Sequence, residues 1–227
     1  MFRRAAITFS LPVLIVADLA MIAVAVARYP ALLSQPGART FVAEPICVLI
    51  VYAVAIFCFA ERRGATWDTI LPTAVTFGLL TGTFEIVNMG IENGIPFSVH
   101  SPILQIGSML TIFTLWGIAG GRTARALKSI SAGLLAAVSS AAICMLIGVT
   151  AGFVIQFFLV PPHPAYVATW AEFKRSGWTD ARAFGLANTL DSGFTHLVVA
   201  PVVAAIFGGI VSLFARSLPS KSAPIAP

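Results

Sequence analysis

The chain has 227 residues, 58% of them hydrophobic and 10% charged, which excludes a soluble globular domain, where about a quarter of residues carry charge. The net charge of +5 does not indicate a nucleic-acid partner, because the Lys and Arg residues stand in short clusters beside apolar runs, as membrane orientation requires. Cys47, Cys58 and Cys144 all lie in apolar runs with neither a CxxC pair nor zinc spacing, and read as small packing residues rather than a disulfide framework.

A bilayer core is crossed by about 20 mainly apolar residues, and the mean hydropathy of +0.93 leaves room for several such runs. They fall at 7–27, 41–60, 70–90, 102–120, 130–153 and 192–215. The expected fold class is an all-α integral membrane protein: a bundle of about six transmembrane helices forming a single domain over 1–218, with 219–227 as a flexible tail.

The first run follows Arg3 and Arg4, contains Asp18 and ends near Ala25-Val26-Ala27. That triplet resembles a signal-peptidase site, but the apolar stretch is longer than a signal core and holds an acid, so a retained helix is the favoured reading. The second run carries Glu44 near its start. The third opens at Asp68 and Pro72 and closes in TFEIVNMGIENG, where Thr81, Glu85, Asn88 and Glu92 step by four, three and four. Those steps place all four on one helix face, and Asn93-Gly94 supplies a helix stop. Ser101-Pro102 is a capping serine with proline at the first helical position, and it starts the fourth run.

From Ser129 to Val160 no residue is charged. This stretch exceeds one perpendicular span, so a tilt, a kink near Gly148 and Gly152 or a partly re-entrant end is expected. Ala136, Ser140, Cys144, Gly148 and Gly152 form a small-residue ridge on it, matched in the sixth run by Ala200, Ala204, Gly208 and Ser212. Such ridges let helix backbones approach closely in lipid; they serve packing within the bundle or, in the second reading, a helix partner or homo-oligomer. Between the fifth and sixth runs, Pro161-Pro162-His163-Pro164 should be extended. Tyr166, Trp170 and Phe173 with Lys174 and Arg175 then read as a short interfacial helix in the last outer loop.

Orientation follows from the basic residues. With the N-terminus inside, the inner segments hold nine (Arg3, Arg4, Arg62, Arg63, Arg122, Arg125, Lys128, Arg216 and Lys221) and the outer segments five (Arg28, Arg39, Lys174, Arg175 and Arg182). Both termini are therefore expected in the cytoplasm, and the location in a bacterial-type inner or plasma membrane.

Ionisable side chains inside spans cost about 2.5–3.5 kcal/mol each on insertion scales and face a bundle interior or a wet cavity. Asp18, Glu44, Glu85, Asn88, Glu92, Asp191, Thr195 and His196 are the candidate ligand-binding residues; most lie toward the outer ends of their spans, which points to an outward-facing acidic vestibule. The function expected from it is a small-solute or cation transporter or binding subunit. The alternative is a structural or sensory partner subunit with no ligand of its own. A metal-dependent intramembrane hydrolase ranks below both: His100, His196 and Glu85 are its weak metal candidates, but no HExxH or GxSxG motif is present. The sequence thus leans away from an enzyme and names no cofactor; the lipid bilayer is its one definite partner.

Overall fold

The computed structural model describes residues 2–60, 64–94 and 102–218; at positions 2–10, 59, 60, 92–94, 102 and 104 the description covers the backbone alone. Among the described residues every element is helical. The long helices are α1 (Phe2–Arg28), α3 (Ala38–Ala60), α4 (Ala65–Gly94), α5 (Pro102–Leu127), α6 (Ile130–Val154) and α9 (Ala181–Ala215). Short helices α2 (Ala31–Ser34), α7 (Pro164–Val167) and α8 (Ala171–Ser176) lie in the connections, and a π-helical turn, Ile155–Leu159, extends α6.

Among the described residues five stretches are long and apolar enough to cross a membrane: Leu11–Arg28, Ala38–Cys58, Ala65–Ile91, Ile130–Leu159 and Ala181–Ala215. A lipid-spanning chain must satisfy its backbone internally, and helices do so within one segment. Several hydroxyls along them are satisfied the same way. Thr73, Thr76, Thr81, Ser140, Thr150 and Thr189 each donate to the carbonyl four residues earlier, at 2.7–3.1 Å.

Local chemistry sets the helix ends. Ser129 caps α6, its Oγ accepting the Ala132 N–H at 3.3 Å, and Asp180 caps α9 through Oδ1 and the Ala183 N–H at 3.0 Å. Pro161 and Pro162 carry no N–H, so α-helical bonding cannot continue past residue 160. The chain closes instead with an i→i+5 bond from the Val160 N–H to the Ile155 carbonyl, 2.7 Å long. That π turn is how the long charge-free stretch ends, in place of a glycine kink.

Two expected elements take a different form. The single interfacial helix is split into α7 and α8, because Trp170 adopts an extended backbone (φ −65°, ψ 137°) between them. The last apolar helix begins at Ala181, eleven residues before the expected 192, and Asp180 provides its cap. Asp191 consequently lies within the helix.

The described contacts gather residues 1–61 and 145–198 into one compact unit and 62–144 and 199–227 into a second, within the stretch that the sequence reading treats as one domain. In the first unit, α1 and α2 pack on α3. Residues 35–36 are tied to 178–179: Gln35 exchanges two hydrogen bonds with Thr179, both 3.1 Å, and the Trp178 indole donates to the Pro36 carbonyl at 2.8 Å.

In the second unit, α4 packs on α5, and glycines bring α5, α6 and α9 together. A Cβ on Gly120 would stand 3.0 Å from the Gly208 carbonyl oxygen and 3.1 Å from that of Gly133, and one on Gly208 would collide with the Ala137 methyl. The ridge residues Ala136, Ser140, Cys144, Ala200, Ala204, Gly208 and Ser212 are all buried within the chain. They serve intramolecular packing.

Candidate functional site

Along α4 the sequence places Thr81, Glu85 and Asn88 on one face, and their burial agrees with that face turning inward: Thr81 is fully buried while Glu85 and Asn88 are half-buried. Thr81 Oγ1 donates to the Phe77 carbonyl at 2.7 Å, so its lone pairs remain as acceptors. Cys144, fully buried on α6, lies beside Thr81 and within electrostatic reach of Glu85. Carboxylate, hydroxyl and thiol thus converge from α4 and α6 inside one unit. Sequence spacing supplies the α4 stripe; the thiol joins it only through helix packing. The Glu92 side chain and all of His100 lie outside the described residues.

Asp18, Glu44, Asp191, Thr195 and His196 belong to the other unit. Glu44 and Asp191 are half-buried, Thr195 and His196 exposed. The His196 Nδ1–H donates to the Ser192 carbonyl at 2.6 Å, one turn back on its own helix. Among the described residues no group of three or more His, Cys, Asp or Glu side chains is arranged to hold a metal ion.

Asp18 stands apart. Ile15, Asp18, Ile22 and Ala25 recur at three- and four-residue spacing and are the buried stripe of α1. The carboxyl therefore sits on the packed face, fully buried, and neither oxygen has a hydrogen-bond partner. The Thr150 hydroxyl of α6 interacts with it, but is not hydrogen bonded to it. Its proton goes instead to the Leu146 carbonyl at 2.7 Å. An ionised, unpartnered carboxylate in such a place is strongly unfavourable.

A different polar group is resolved completely. Pro201 within α9 has no N–H for the Leu197 carbonyl, four residues earlier. The Tyr52 hydroxyl of α3 fills that role, donating to Leu197 O at 2.7 Å. Sequence reasoning missed Tyr52 and Thr150. A span tyrosine and a span proline each signal unmet hydrogen bonding, but their pairing across 145 residues is a tertiary fact. No protein-family model, curated protein or solved structure matches this chain.

Proposed function

We propose that this protein is a multi-pass membrane protein of the transport or solute-binding class, with a polar mouth centred on Glu85 and Asn88 that takes a small cationic solute. The observation that carries this reading is the half-buried Glu85, set inside an apolar span beside buried Thr81 and Cys144. An ionisable group held there costs stability on insertion scales, and such groups mark ligand or ion pathways.

The reading takes α5 as a sixth crossing. Its 26 residues extend roughly 39 Å at 1.5 Å per residue, against a hydrocarbon core of about 30 Å. It packs on α4 and is joined to α6 by Lys128 and Ser129 alone, which supports an antiparallel α5–α6 hairpin. With both termini inside, the C-terminal end of α4 faces outward.

The test is a thermal-stability screen of purified protein against a panel of inorganic cations and small amines, repeated with Glu85→Gln. A saturable melting shift in the wild type, abolished by Glu85→Gln, is the expected result. If Glu85→Gln folds and leaves every shift unchanged, the Glu85 mouth is wrong. If no probe shifts the wild type, the partner-subunit reading takes its place.

A further inference from the structure

Among the acids whose side chains are described, Asp18 alone is fully buried. It lies eleven residues after the start and nine before the end of the apolar run 7–27, about 17 and 14 Å from the two ends at 1.5 Å per residue. Water at the span ends is therefore out of reach of a short aspartate side chain.

No described donor is hydrogen bonded to its oxygens. Helix α2 carries no titratable group, nor do residues 145–154 of α6; α3 carries Arg39, Glu44, Cys47, Tyr52 and Cys58. None of these is hydrogen bonded to Asp18. Tyr52 gives its proton to Leu197 O at 2.7 Å and Thr150 gives its own to Leu146 O at 2.7 Å. Arg39 Nε donates to the Leu33 carbonyl at 3.3 Å, and the Arg28 guanidinium lies over the Tyr29 ring, 5.7 Å from its centroid.

With its proton spent, Thr150 Oγ1 has only lone pairs to offer the acid. Acceptor thus faces acceptor, and among the described residues no cationic side chain is bonded to the carboxylate. We infer that Asp18 and Thr150 form a binding site for a single monovalent cation, a proton or an alkali ion. A proton on the carboxyl turns the O–H toward Thr150 Oγ1; an alkali ion is shared between the carboxylate and the hydroxyl oxygen. One carboxylate and a neutral hydroxyl balance one positive charge, whereas a divalent ion would leave an uncompensated positive charge buried in the span. A loaded carboxyl within a span is the kind of group through which membrane proteins couple to an ion gradient. The site lies in a different unit from Glu85 and does not rest on the solute reading.

The experiment uses full-length protein in lipid nanodiscs, wild type, Asp18→Asn and Thr150→Val. Melting is followed at constant ionic strength while Na+ or K+ replaces a bulky organic cation, and infrared absorption of protonated carboxyl groups is followed across pH. For an alkali ion, the wild-type Tm rises saturably with Na+ or K+, Asp18→Asn does not respond, and Thr150→Val needs several-fold more ion. For a proton, the wild type shows a titrating protonated-carboxyl band that Asp18→Asn lacks and Thr150→Val shifts in frequency. If Asp18→Asn does not fold, Asp18→Glu replaces it, and a moved band or altered ion preference supports the site. A folded Asp18→Asn that matches the wild type in both titrations overturns it. So does a wild type with neither a saturable alkali response nor a titrating carboxyl band.

Discussion

Two side chains in spans meet the same physical demand in opposite ways. Tyr52 supplies a donor to a carbonyl that Pro201 leaves bare, at 2.7 Å, whereas neither acceptor atom of the buried Asp18 carboxyl is hydrogen bonded. Interhelical hydrogen bonds in membranes average about 0.6 kcal/mol and reach about 1.7. Tyr52→Phe should therefore cost about that much in reversible unfolding. Pro201→Ala restores an N–H for Leu197 O, so the cost of Tyr52→Phe should fall by at least half in that background. Equal costs in the two backgrounds would show that the hydroxyl is not compensating for the proline. Asp18 itself is plain in the sequence, and so is its place on the 15–18–22–25 face. What the sequence hides is that the face is packed against Thr150, since contacts between distant helices leave no periodic trace in either one.

The short α2 was not legible, but the long helices were, because runs of about 20 apolar residues have few other stable solutions. Helix ends were less so. The start of α9 at Ala181 rather than 192 depends on the Asp180 cap, and Arg182, Gly185 and Asn188 keep Ala181–Leu190 out of the apolar run that marks a span. The break at Trp170 likewise interrupts a stretch whose aromatic spacing alone suits one helix. Small-residue ridges were visible as four-residue repeats, and their meeting point, Gly120 with Gly133 and Gly208, is a packing outcome. Gly208→Val should overpack the contact with Ala137 and cost about 1–3 kcal/mol. Gly107, with open space around its Cβ position, is the control: Gly107→Ala should be neutral or stabilise by up to about 1 kcal/mol. Equal tolerance at both positions in a guanidine- or detergent-unfolding assay would contradict the close approach.

For the molecule as a whole, charge distribution sets the expected direction of every crossing. Position 92 lies near the end of α4 and 125 in the last turn of α5, so single cysteines there test orientation and the sixth crossing together. In a background with Cys47, Cys58 and Cys144 replaced by alanine, a membrane-impermeant thiol reagent should label Glu92→Cys from outside and Arg125→Cys only from inside. Labelling of both from one side would remove the α5 crossing. The proposed polar mouth belongs to this scale too. Its α4 half follows from spacing, Thr81 to Glu85 to Asn88, but its Cys144 wall comes from a helix over fifty residues away.

Composition and periodicity were enough to establish a helical membrane protein and the faces on which its polar residues lie, because lipid admits few backbone solutions and helical pitch converts spacing into direction. Which face meets which was settled by side-chain packing between distant segments. That is why Asp18, one of several acids in the sequence, emerges as a buried carboxyl with neither oxygen hydrogen bonded only once α1 and α6 are side by side.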